Sequence, residues 1–417
     1  MKKTLLTLLI LAGCLSSCNE TIVESIFTGI PIDDEVQVAP NTPCVDGFAG
    51  PYPCLNYDLV NLIKREDFMG PLPSHEIWTV WGWTDPATQK EYVIAGTTNG
   101  VNFIDITDPI NPIFVGRIPS FAASPHHYQN VRTYNNHAFI VARNGDDFGM
   151  RVFDLSRLRD AGGSDFEIFT QYTQYGGGLF GESSSIAINE DTGFAYVVGT
   201  SIFEGGPHFI DISTPTAPIS SGGYDDEGLT RFAQIVTYSG PDADYSGKEI
   251  FVGSNQDKIA IVDVTNKNNP VTISTFEYAN LGYPVQGQFT EDLRYFIVGD
   301  FWDETAGSNT RTVVLDLQDL DNPVEHMYYF GTSQITDYGY YVDGNTLYQA
   351  NIAAGVRMID LSKINSFILQ EVGFFDTEPE SDAVIGLNGV LTVYPYFSSG
   401  NIVTHNFDGI FIIRKKR

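Results

Sequence analysis

Six aspartates recur at matching places along the chain, each closing a short apolar run: Asp105, Asp154, Asp211, Asp263, Asp316 and Asp360. A carboxylate is a ready general acid or base. Six copies in one local setting point elsewhere, because each is placed to accept backbone N–H groups of the turn that follows. Four further acidic clusters fall in connecting stretches: Asp146-Asp147, Asp225 to Glu227, Asp300 with Asp303 and Glu304, and Glu378 with Glu380 and Asp382. Calcium takes several oxygen ligands from loops of this kind. None of the four has EF-hand spacing. Asp300, Asp303 and Glu304 suit calcium best, and solvated charge is the simpler reading. His126-His127 is the one adjacent histidine pair. Neighbouring strand residues point to opposite faces, whereas zinc needs three or four convergent ligands. Neither a Gly-x-Ser-x-Gly elbow nor a phosphate loop is present, so no catalytic or metal-binding set is assigned.

A repeat positions these residues. Its clearest copy runs from Tyr92 to Gly116: a strand, an Asn99-Gly100 turn, a strand ending in Asp105, a turn at Asp108-Pro109 and Pro112, and a further strand. Asn-Gly between β-branched runs signals a hairpin, and proline pre-sets the second turn. The middle of the unit returns at Met150–Ser156, His208–Ser213, Ile259–Thr265, Thr312–Leu317 and Val356–Ser362. A seventh copy, Gly409–Arg414, has Arg414 in the aspartate's place. Successive aspartates lie 44 to 57 residues apart. Strands repeating at about 40 to 50 residues are the mark of propeller blades. Both faces of these strands are apolar, as at Ile261, Val262 and Val264, so both must be covered.

The fold predicted is all-β: a seven-bladed β-propeller of four-stranded blades at 74–119, 126–174, 183–225, 230–280, 283–333, 336–380 and 386–414. The last repeat ends at Arg417 without a fourth strand, while Tyr57 to Arg65 is a strand without a partner. Pairing the two closes the ring and removes both exposed edges. No useful helical periodicity follows the leader.

In such a ring the first strand of each blade lines the channel, and the stretches entering those strands surround its mouth. Trp78, Tyr128, Arg231, Gln234, Gln286 and Tyr338 come from those stretches. Aromatic, amide and guanidinium groups suit a glycan or a protein partner, by ring stacking with directional hydrogen bonds. The alternative is that they only fill a narrow channel. A rival assignment is a carbohydrate-active hydrolase or lyase using mouth carboxylates such as Glu76 and Asp337. Another is a structural subunit of a surface complex.

Residues 1–17 read as a lipoprotein signal peptide: Lys2 and Lys3, then an apolar run from Leu5 to Leu15 that is too short to span a bilayer. Cys14 and Cys18 each follow a lipobox-like stretch. Cys18 is favoured for lipidation, since a cut at Cys14 leaves a very short apolar run; residues 18–43 then form a flexible tether, and the membrane is met only through lipid. Losing the two lysines takes the formal charge from −29 to −31, which argues against nucleic acid as a partner. Cys44 and Cys54 close a loop rich in glycine and proline, which in an exported protein reads as a disulfide. Residues 44–417 are then a single propeller domain, facing the periplasm or the cell surface from the outer membrane.

The stretches Cys44–Cys54, Trp81–Pro86, Val152–Asp160, Ile186–Tyr196 and Phe374–Asp382 together resemble the LVIVD-repeat proteins, in particular the "choice-of-anchor B" family of exported bacterial proteins. The resemblance spans nearly the whole mature chain and implies a propeller with a variable surface anchor; it implies no established activity. Family members begin several first strands with histidine. Here those places read Ser184-Ser185, Arg231-Phe232, Pro284-Val285-Gln286-Gly287 and Asp337-Tyr338, which marks the chain as a divergent member and favours a binder over a metal-dependent enzyme.

Overall fold

Alternation along each strand decides how the blades stack. In Glu91–Thr97, Tyr92 and Ile94 join one core with Val131, Ile140 and Phe153 of the next blade. Val93 and Ala95, pointing the other way, join Ile410 and Ile412 of the last blade. A strand apolar on both faces is thus covered on both, as its sequence requires. The computed structural model describes residues 38–69, 76–120, 127–143, 148–161, 166–381 and 386–416. Its seven antiparallel sheets form a seven-bladed β-propeller, and the first strands of successive blades face one another around the axis.

Blade one is Ile77–Thr84, Glu91–Thr97, Gly100–Asp105 and Ile113–Pro119. Blade four, read from the sequence as four strands beginning near Arg231, is Thr230–Thr237, Glu249–Asn255, Ile259–Asp263 and Val271–Phe276. The remaining blades follow the same plan. In the last, Tyr57–Lys64 pairs antiparallel with Gly409–Lys415, with Tyr57 opposite Lys415 and Lys64 opposite Gly409. The N-terminal strand closes the ring as expected.

Four features were not anticipated. The hairpin Phe48–Ala49 and Tyr52–Leu55 adds two strands to the outer edge of blade six, Cys54 opposite Phe375. The Cys44–Cys54 disulfide closes this hairpin. Glu167–Ile168, an excursion from blade two, runs parallel to Ile113–Pro119 and covers the edge of blade one. A one-turn helix, Arg65–Met69, follows the closing strand and buries Phe68 and Met69; it is too short to show helical periodicity. Pairing also begins before residue 44, because Thr42 bridges Leu59 and the Asn41 amide donates to the Val60 carbonyl at 2.9 Å. Cys14, Cys18, the tether up to residue 37, His75, His126, Asp146, Asp147 and Asp382 lie outside the described residues.

Candidate functional site

The six aspartates do what the repeat suggested. In each, one carboxylate oxygen accepts the backbone N–H two residues on, at 2.8 to 3.0 Å. Lys90, Lys248 and Arg294 add ion pairs to Asp105, Asp263 and Asp316. They are turn-closing groups at the far end of the blade strands.

First strands start at the mouth and antiparallel second strands end there, so two sets of residues meet. Arg231, Phe232, Tyr283, Tyr338 and Leu387 come from stretches leading into first strands; Arg143, Phe301 and Trp302 come from the ends of second strands. They enclose a cavity of about 240 Å³. The Arg231 guanidinium lies 6.0 Å from the Tyr283 ring centre, with Nη1 3.4 Å from the Ser184 hydroxyl. Tyr338 stands edge-on to Phe232 at 5.5 Å and to Phe301 at 6.3 Å. Trp302 is 45% exposed.

Asp300 fixes the rim. It is fully buried and accepts from the Tyr278 hydroxyl at 2.8 Å, the Gly282 amide at 2.6 Å, the Tyr283 amide at 2.7 Å and the Trp302 amide at 3.1 Å. One carboxylate thereby holds two aromatic rim residues in place. Asp303 makes a two-pronged pair with Arg311 at 2.6 and 2.7 Å. This cluster is therefore not the solvated charge its composition suggested. The oxygens of Asp300 and Asp303 accept from protein donors. Behind them, Glu304 and Asp337 are buried at 2% and 0% exposure. Burial, followed by the charges of Asp303 and Asp300, pushes the Glu304 carboxyl up to about 8. Burial, followed by the charge of Glu304, raises Asp337 well above the carboxylate range. Asp337 accepts from the Tyr340 hydroxyl and the Gln349 amide and has no face on the mouth.

Of the mouth residues expected from the sequence, Arg231 and Tyr338 border this cavity. Trp78 does not. It is 7% exposed and sits among Ile352, Leu391 and Phe407, whose ring centre is 4.7 Å away. The register shifts between Ile77 and Thr79 as it does between Thr230 and Phe232 in blade four, where Arg231 borders the cavity, so it is the cover from Ile352, Leu391 and Phe407 that sets Trp78 apart. Tyr128 lies within the inner strand His127–Tyr134 of blade two. Gln234 and Gln286 lie on a second cavity, of about 190 Å³, inside the channel. All seven blades border it, with Trp81, Arg132, Glu190, Gln234, Gln288, Tyr341 and Tyr396 contributing one or more each. Trp302 and Arg143 were missed because only first strands were searched. The run Asp300-Phe301-Trp302, directly after a second strand, carried the signal.

No protein-family profile matches the chain, and no curated protein matches it. Its structure is similar to hydrazine synthase of Kuenenia stuttgartiensis, with a TM-score of 0.53 and 14% identity, covering 78% of this chain and 92% of that one. It is also similar to the Cps50 (Swd1) β-propeller domain of Myceliophteria thermophila, with a TM-score of 0.54 and 10% identity, covering 86% and 99%. At such identities the likeness extends to the fold alone.

Proposed function

We propose that this protein is an exported β-propeller, lipid-anchored through Cys18 to the outer membrane, that works as a binding module for a glycan or a protein partner at the channel mouth. Propellers commonly mediate binding, and the residue resemblance to LVIVD-repeat proteins fits an anchored surface role. The observation that carries the reading is the rim. Exposed Trp302 and half-buried Tyr338 flank Arg231, in a chain whose formal charge is −29. Aromatic faces for stacking beside a guanidinium suit sugar rings and peptide side chains alike. Asp300 holds the Trp302 loop rigid, so little ordering is needed on binding. Of the two carboxylates named for the hydrolase or lyase reading, Asp337 is fully buried and does not reach the mouth. In the test, the mature protein and its Trp302→Ala/Tyr338→Ala variant are applied to a glycan array and used in pull-downs from intact cells. The variant is expected to lose retention at least tenfold while its circular dichroism is unchanged. Equal retention by both proteins would reject the mouth as the site.

A further inference from the structure

The channel interior presents a different chemistry from the mouth. Arg132, on the inner strand of blade two, lies with its guanidinium over the Trp81 ring, 4.0 Å from the ring centre. Its Nη1 donates to the Val131 carbonyl at 2.8 Å and to the Asn130 side-chain oxygen at 3.2 Å. No acid among the described residues pairs with it; the ionisable groups near it are the phenols of Tyr341 and Tyr396. A guanidinium held inside a protein without a counter-ion is unfavourable unless something else meets its donors. Stacking on an indole recovers part of that. The Nε–Nη2 edge remains, and that edge is the fork matching the two oxygens of a carboxylate.

The neighbouring amides are turned the same way. The Gln234 side-chain oxygen accepts the Phe289 amide at 2.7 Å, and the Gln288 oxygen accepts the Val342 amide at 2.9 Å. These interblade bonds fix which end of each amide is oxygen. They leave the NH2 groups, which are donors, for the cavity that both residues line. The Gln288 nitrogen reaches only the Tyr396 hydroxyl, at a long 3.4 Å. The single carboxylate bordering the cavity among the described residues is Glu190, raised by burial and by Asp191. The space is thus rich in donors, poor in acceptors, and enclosed by a strongly acidic chain.

We infer that the channel holds a small organic carboxylate, clamped by the Nε–Nη2 edge of Arg132 and by the amide nitrogens of Gln234 and Gln288. A cavity of about 190 Å³ admits a molecule the size of a short acid or a single sugar acid. This site is separate from the mouth, so the Trp302→Ala/Tyr338→Ala variant keeps it.

Thermal unfolding and titration calorimetry on the mature protein test the assignment, using acetate, lactate and glucuronate, with phosphate and sulfate at matched ionic strength. At least one carboxylate is expected to bind and to raise the melting temperature with concentration, with phosphate and sulfate weaker. Arg132→Gln should weaken that binding at least tenfold. Gln288→Glu keeps the acceptor for Val342 and supplies an internal counter-ion. It should fold, melt higher than wild type and lose the response to added carboxylate, which keeps the test decisive if Arg132→Gln does not fold. Wild-type protein indifferent to every carboxylate would overturn the site, as would an Arg132→Gln or Gln288→Glu variant that binds as wild type does. Tighter binding of phosphate or sulfate would overturn the carboxylate assignment.

Discussion

Single carboxylates in this molecule divide by what surrounds them. Asp105 and its five counterparts sit at turns and accept one backbone amide each, a contribution of about 1 kcal/mol apiece. Asp300, with four donors, positions the rim. Glu304 belongs to neither kind: it is buried, with Asp303 and Asp300 adding negative charge, Arg311 held by Asp303, and the Thr336 hydroxyl beside it. Its folded pKa of about 8 lies above the ordinary value of 4.5, so between those values the folded state binds the extra proton and the unfolded state does not. Stability from this group is present below pH 4.5 and falls as pH rises through 8, by at most about 1.4 kcal/mol per pH unit for one proton. Urea unfolding midpoints measured from pH 5 to 9 should decline accordingly, and Glu304→Gln should flatten the decline. A variant with the wild-type slope would show that the proton resides elsewhere.

At the level of strands and loops, local alternation was legible and tertiary reach was not. The Asn99-Gly100 turn, the aspartate-proline turn after Asp105 and the two-sided apolar runs all announce a blade, because each is set by residues within a few positions. Trp78 does not border the mouth because Ile352, Leu391 and Phe407, residues far along the chain, cover it, and such tertiary contacts leave no local pattern to read. The strand Glu167–Ile168 was missed for a related reason. Its partner, Ile113–Pro119, lies in another blade, and a two-residue pairing leaves no period to read. The Cys44–Cys54 loop was expected as a clip; its seat on blade six was not evident, since Cys54 opposes Phe375 far along the chain. Closing a ten-residue span contributes about 3 kcal/mol at most. Cys44→Ser/Cys54→Ser should therefore unfold a few degrees lower yet keep its near-ultraviolet dichroism. Loss of the folded signal at room temperature would mean that the hairpin is needed for blade six itself.

As a whole, the ring depends on one sheet built from both ends of the chain. Deleting residues 1–65 removes Tyr57–Lys64 and leaves the apolar strand Gly409–Lys415 as an open edge. The truncated protein should run as aggregates on size exclusion, and a peptide spanning 39–69, added during refolding, should restore monomer. A truncated chain that is monomeric without the peptide would show that six blades and a remnant suffice. The shared sheet also sets a timetable. Tyr57 emerges from the ribosome long before its partner Lys415, and long-range pairings are slow to form. The early segment must wait for this partner until Gly409–Lys415 has been made. Stalled or clipped chains that lack Gly409–Lys415 can then never close the ring, whereas a passenger fused after this strand would carry it out of the ribosome while translation continues, so that the ring can close before release.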